Sequence, residues 1–297
     1  MLQQVEFESE NAVLRGRLYK SVNKPPCVVM AHGTSATITM AADAFAEAIH
    51  GAGFSVLLYD HRNFGDSDGE PRFEINPWIQ GRGYRDAVAY LRTRADVDRI
   101  ALWGDSYSAM EVLVAGALID DIAAIVAQIP VCGAELPDLE PSNEIFKTLK
   151  SVFASGDVRG GPDSTTGPMP VVSADQINAP SLLKPIQAFR WFTEHGGRFG
   201  TNWENRASRV IPPTPVPFHP YLTAPYLRAP TLMIVGRDDE MVHCNPAAQR
   251  AVFERIVAHK DFFEIDGGHF GVLWHPGELF EKAVRHQIAF LKRALKL

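Results

Sequence analysis

From Pro26 onward, short apolar runs alternate with longer segments of helical period, and this alternation restricts the fold more than any other feature of the chain. A run of five or so apolar residues bounded by turn residues reads as a strand buried on both faces, as happens when helices cover both sides of a parallel sheet. Cys27 to Ala31 and Ser55 to Tyr59 are such runs, and Thr39 to Ala52 between them has a helical period closed by Gly51 and Gly53. Gln80 to Arg94 places Tyr84, Val88 and Leu91 on one helix face, Arg99 to Trp103 reads as a strand, Tyr107 to Leu118 as a helix, and Ala123 to Ile129 as the next strand. Thr231 to Val235, Pro246 to Val257 and Asp261 to Ile265 resume the pattern. A last helix carries Phe280, Val284, Ile288, Leu291 and Leu295 at helical spacing, and Gln4 to Tyr19 predicts a hairpin ahead of the whole series. The class is α/β, with a mostly parallel central sheet and helices on both faces.

After Pro130 the rhythm breaks until about Pro225, in a stretch rich in proline and glycine with scattered aromatics and no clear strand. Helices are expected over Asn143 to Phe153 and Leu182 to His195, and Ile211 to Pro217 is expected to be an extended return path. This predicts an inserted helical cap over residues 133–225, with the core formed by 1–132 and 226–297. A chain of 297 residues that is 46% hydrophobic and 22% charged has apolar material for one large core.

The net charge of -6 is spread along the chain without a basic run, so nucleic acid is not an expected partner. No stretch approaches the ~18 apolar residues of a membrane span, and the amino terminus lacks a positive region followed by an apolar one, so a cytoplasmic protein without a membrane anchor is expected. Cys27, Cys132 and Cys244 are far apart, with the spacing of neither a disulfide framework nor a metal site. Nothing in the pattern bears on oligomeric state.

A serine becomes a useful nucleophile when a sharp strand-to-helix turn lifts its hydroxyl above the sheet, and crowding there requires small residues two positions before and after. Gly65-Asp66-Ser67-Asp68-Gly69 has glycine at both positions, whereas Gly104-Asp105-Ser106-Tyr107-Ser108 ends in serine. Only Ser106 has the flanks, with strand residues directly before the motif and helical ones directly after. Pro71 and Pro77 follow Ser67 where a helix would have to run, so that stretch is expected to be a turn-rich loop.

The serine needs a base, and the base needs an acceptor to orient it. Acid and base are sought in the loops after the late strands. Gly236-Arg237-Asp238-Asp239-Glu240 follows Val235, and Asp266-Gly267-Gly268-His269-Phe270 follows Ile265. His269 is the expected base and Asp238 or Asp239 the expected acid, although such an acidic run could also be a solvated turn. A metal site built from that run and His243 lacks paired His or Cys spacing, so no metal is expected, nor any cofactor. Tyr107 N–H and Thr34 N–H, the latter in His32-Gly33-Thr34-Ser35, are the expected donors to an oxyanion. His32 and His61 are expected to be structural, and His275 to be a surface or cap-facing residue.

Taken together, His32-Gly33-Thr34, Asp60 to Gly69, Trp103 to Ser108, Gly236 to Asp239 and Gly267-Gly268-His269 resemble the α/β-hydrolase superfamily, from about Gln4 to Leu297 with the cap excepted. Within it the chain resembles the dienelactone-hydrolase-like group, which includes bacterial esterases and hydrolases or acyl transferases acting on polyketides. The resemblance implies an acid three positions after the glycine, which selects Asp239. It also implies cleavage of an ester-like bond in a small-molecule acyl substrate through an acyl-enzyme on Ser106. Ser108 departs from the commonest form of the motif, which has glycine there.

Phe189, Trp191, Phe192, Phe199 and Trp203 lie in the expected cap and either line an apolar substrate pocket or form the cap's own core. Asp105 as nucleophile, the chemistry of haloalkane and epoxide hydrolases of this fold, would put Trp103 and Tyr107 where small residues are required. Acyl transfer to an alcohol, carbon–carbon cleavage by the same triad, and ligand binding without turnover stay open.

Overall fold

Eight strands form the main sheet of the computed structural model, which describes residues 2–297. In chain order the strands of the molecule are β1 (Leu2–Ser9), β2 (Ala12–Tyr19), β3 (Cys27–Ala31), β4 (Ser55–Tyr59), β5 (Glu74–Ile75), β6 (Ile100–Asp105), β7 (Ala124–Gln128), β8 (Thr165–Met169), β9 (Ala207–Val210), β10 (Thr231–Gly236) and β11 (Lys260–Ile265). The helices are α1 (Ala42–Gly51), α2 (Pro77–Arg92), α3 (Tyr107–Leu118), α4 (Asn143–Ser155), α5 (Ile186–Gly196), α6 (Pro220–Thr223), α7 (Pro246–Arg255), α8 (His269–Leu273) and α9 (Glu278–Leu295). The main sheet runs β1-β2-β4-β3-β6-β7-β10-β11. The β1–β2 hairpin and the β2–β4 pair are antiparallel, and every pairing from β4 to β11 is parallel.

Side-chain alternation divides each central strand between two cores. Val29 of β3, Leu57 and Tyr59 of β4, Leu102 of β6 and Ile125 of β7 pack with Tyr84, Val88 and Leu91 of α2 and with Val112 and Leu113 of α3. Their neighbours Val28, Met30, Val56, Leu58, Trp103 and Val126 belong to the second core, with Phe45 of α1 and Phe280, Val284 and Leu291 of α9. Covering both faces is what makes these strands unbroken apolar runs. Because β3, β6, β10 and β11 are parallel, the loops after them all leave the sheet at the same edge, where open α/β sheets place their ligands. Among the described residues no helix is long and apolar enough to cross a membrane.

Departures from the expected elements have local causes. Helix α2 starts at Pro77, ahead of the expected Gln80, because Asn76 Oδ1 accepts from Trp78 N and Ile79 N (3.2 and 3.4 Å) and proline suits the first helical turn. Helix α1 starts at Ala42 and not Thr39, since the preceding chain turns through Thr37–Met40 while Ile38 N donates to Asp60 Oδ1 at 3.0 Å. Helix α5 starts at Ile186 and not Leu182; the amides of Leu182 and Leu183 instead donate to the carbonyls of Pro170 and Val171 (3.0 and 2.9 Å). The stretch expected to lack strands contains β8 and β9, which with β5 make a second, three-stranded sheet. Gly167 and Pro168 disguise β8 as a loop. It is an edge strand paired only with β9, with a register break between Thr166 and Met169, the situation in which a strand tolerates proline.

Candidate active site

Ser106 is the one residue between the end of β6 and the start of α3, and it takes φ 54° and ψ -113°. That conformation is strained for serine and persists because the surroundings over-determine it. Ser106 N donates to Gln128 O of β7 at 2.8 Å, while Met110 N and Val131 N donate to Ser106 O at 3.3 and 3.2 Å. At Gly104 a Cβ would stand 2.3 Å from Ser108 O, so no side chain fits there.

Position 108 is different, because it is the Ser108 backbone that crowds Gly104, leaving the side chain free to enter a buried polar cluster. The Ser108 hydroxyl donates to His32 O at 2.5 Å and lies 2.9 Å from both His61 Nε2 and Glu111 Oε2. Burial pushes the His61 imidazole down to about 3 and the Glu111 carboxyl well above the usual carboxylate range, disfavouring charge on both. Serine in place of glycine therefore ties the turn to the loop that begins at His32. Ser108→Ala should lower the free energy of unfolding by about 1–3 kcal/mol, because the buried His32 O loses this donor and His61 Nε2 and Glu111 Oε2 keep only each other, at 3.2 Å. Urea unfolding measures this, and an unchanged midpoint would show that the hydroxyl is dispensable.

His269 Nε2 lies 2.9 Å from Ser106 Oγ, and His269 Nδ1 lies 2.9 Å from Asp239 Oδ2. The His269 and Asp239 side chains are 2% and 0% exposed. Asp238, the other candidate acid, is exposed at the same turn. Asp239 Oδ1 accepts from Met241 N at 2.9 Å, which fixes the plane of the carboxylate. Glu240 does more than the solvated turn its sequence context suggests: it accepts from His269 N (2.7 Å) and Phe270 N (3.3 Å), anchoring the backbone that carries the imidazole. Gly268 makes this possible, since a Cβ there would stand 2.3 Å from Glu240 Oε2. In the sequence Glu240 and Gly268 give no joint signal, because their partnership depends on the parallel pairing of β10 with β11.

Cys244 Sγ lies 3.6 Å from His269 Nδ1, so Asp239, Cys244 and His269 gather ligand-type atoms within 4.8 Å of one another. Burial pushes the thiol well up, which keeps it protonated and a weak metal ligand at neutral pH, and Asp239 already bonds His269 directly. This donor set suits a hydrogen-bonded Asp–His pair better than an ion. Ser67 is a staple, its hydroxyl donating to Asp60 O (2.6 Å) and accepting from Arg15 N (2.9 Å). His32 is buried with Nδ1 2.9 Å from Gly33 O, and burial lowers its pKa well below the usual value. Asp105 is buried and pushed up to about 7 by that burial; it is the last residue of β6, one short of the turn.

Ser106 opens on a cavity of about 360 Å³ whose lining includes Thr34, Trp78, Tyr107, Met110, Arg209 and Phe218. Among the described residues neither Thr34 N nor Tyr107 N donates to a protein acceptor, which leaves both free for an oxygen beside Ser106. Trp191 and Phe192 line a small recess of about 20 Å³ with Ser106, His269 and Phe270. Phe189 and Trp203, expected alongside them, line neither space. Trp203 packs on Phe192 with ring centroids 5.5 Å apart, and Phe189 packs half-buried against the same core. Phe199 is fully exposed. The larger cavity takes its aromatics from Trp78 and Phe218, edge to face at 5.1 Å, which nothing local in the sequence distinguishes.

Residues 28–283 match the model of the alpha/beta hydrolase family, and the chain belongs to that family. It is 29% identical over 298 residues to polyketide transferase af380 of Aspergillus fumigatus, a match covering 98% of each chain. It is 29% identical over 318 residues to thiohydrolase aneE of Aspergillus aculeatus, covering 98% of this chain and 93% of that one. Among solved structures, DcsB in complex with its substrate analogue has the same fold, with a TM-score of 0.72 at 24% identity over 100% of both chains. The family and these relatives support an enzyme of the hydrolase or acyl-transferring kind.

Proposed function

We propose that the protein is a serine-dependent hydrolase that cleaves an ester, thioester or lactone of a fairly apolar acyl substrate. The observation that carries this reading is the hydrogen-bonded series Asp239–His269–Ser106, with both links at 2.9 Å, at the wall of a largely apolar cavity. His269 Nε2 takes the Ser106 proton as Oγ attacks the carbonyl carbon, and Asp239 holds the Nδ1–H and stabilises the imidazolium that forms. Thr34 and Tyr107 N–H groups receive the oxyanion. His269 returns the proton to the leaving group; water, deprotonated by the same imidazole, then attacks the acyl carbon, and as the acyl–Oγ bond breaks the imidazolium returns its proton to Ser106 Oγ, freeing the acid. No step requires a metal or a cofactor. In this reading residues 133–225 act as the cap, since Leu182 to Pro185 and Arg209 to His219 close the cavity over Ser106. The three cysteines are buried free thiols, which fits the reducing cytoplasm, where we place the protein.

Intact mass spectrometry after fluorophosphonate treatment should show one adduct, mapping to Ser106. Folded protein that takes up no adduct would count against a serine nucleophile and favour ligand binding without turnover. A second reading, acyl transfer to an alcohol, draws on the relative named a polyketide transferase. It uses the same acyl-enzyme, and product analysis with a competing alcohol separates the two.

A further inference from the structure

We infer that the substrate carries an anionic group, a carboxylate in the simplest case, and that Arg209 receives it. This rests on the reading of Ser106 as nucleophile, which places the acyl group in the same cavity. Arg209 lies in β9, is half-buried, and lines the cavity that holds Ser106. Among the described residues its guanidinium has neither an ion-pair nor a hydrogen-bond partner, although it presents five N–H donors. Burial raises the Tyr107 phenol and lowers the His243 imidazole, and the charge of Arg209 reaches both, opposing the first shift and adding to the second.

None of the other polar groups of the cavity pairs with it. Glu240 is the one acid in the lining, and both its oxygens are engaged by His269 N and Phe270 N. His219 is held neutral, pushed down to about 4 by burial, and accepts from Tyr221 N. Lys184 adds a second cation in the lining. A chain of net charge -6 thus presents unpaired positive charge to an otherwise apolar space. Ligand sites of this composition use a few placed polar groups to set orientation, and a planar guanidinium matches a carboxylate through two parallel hydrogen bonds.

The test is calorimetric binding of octanoate and of its neutral counterpart octanamide to the wild type, Arg209→Met and Arg209→Lys. In the wild type octanoate should bind on the order of tenfold to a hundredfold more tightly, the range of a charge-assisted hydrogen bond. Arg209→Met should bring the ratio of the two affinities close to one, and Arg209→Lys should keep part of it. Bound octanoate should also slow fluorophosphonate labelling of Ser106. A ratio near one in the wild type overturns the inference, as does a preference that survives in Arg209→Met, which would assign the carboxylate to the Thr34 and Tyr107 amides. The affinities do not depend on the chemistry of Ser106, so absent labelling beside an Arg209-dependent preference would overturn only the nucleophile reading.

Discussion

Ser106→Ala should lower kcat by on the order of a millionfold, because nucleophile, base and acid act as a unit and removing the serine removes the acyl-enzyme route altogether. If the amides of Thr34 and Tyr107 act as proposed, what stays is the modest acceleration they and binding alone supply, on the order of 10³–10⁴ over water. The informative control is Ser67→Ala. Ser67 sits in the segment with glycine at both flanking positions, yet its hydroxyl is held by Asp60 O and Arg15 N, both of the backbone. Ser67→Ala should lose about 1 kcal/mol of stability through those two bonds and keep its turnover. Steady-state kinetics on an activated aryl ester, with circular dichroism to establish folding, measures both. If Ser106→Ala retains turnover to within about tenfold, the nucleophile lies elsewhere.

The contrast between these two serines shows what a sequence can carry. The strand and helix flanking Ser106 are local patterns, and local patterns survived: the apolar runs of β3, β4, β6, β7 and β10 are unbroken because two cores claim alternate residues. The loops bearing Ser106, Asp239 and His269 could be located because parallel strands send them to one edge. Whatever depends on two distant loops meeting was not legible. Glu240 looks like one more surface acid until β10 and β11 bring it under the His269 amide. Trp78 and Phe218 are 140 residues apart in number and 5.1 Å apart in space, so the aromatic wall of the cavity could not be separated from the aromatics of α5 that serve the core. The choice between Asp238 and Asp239 turns on which way a side chain leaves the turn after β10, which periodicity does not carry; spacing learned from a resemblance favours Asp239, the one of the two that bonds His269. Ser108 is the reverse case. Its departure from glycine is visible in the sequence, but its reason lies in His32, His61 and Glu111, which come from other segments.

Asp239→Asn should lower kcat by on the order of 10⁴-fold, with a much smaller change in KM, through the tautomer of His269. The Asp239 carboxylate accepts Nδ1–H, which leaves the lone pair of Nε2 facing Ser106 Oγ at 2.9 Å. Asparagine is nearly isosteric, so the question is which way its amide turns. Met241 N donates to Oδ1 at 2.9 Å and demands an acceptor there, so the amide carbonyl takes that place and the NH₂ group faces His269 Nδ1. A donor at Nδ1 favours the imidazole with its proton on Nε2, and that form cannot take the proton of Ser106. Glu240 cannot stand in, since its oxygens already serve His269 N and Phe270 N. Asp238→Asn changes an exposed side chain one residue away and should leave kcat within about twofold, the scale of a surface change away from the site. Fluorophosphonate labelling of Ser106 should slow in Asp239→Asn alone. A larger loss in Asp238→Asn than in Asp239→Asn would reassign the acid, and comparable activity in both would mean that His269 is oriented without a carboxylate, with the Glu240 anchor on its backbone as the next group to vary.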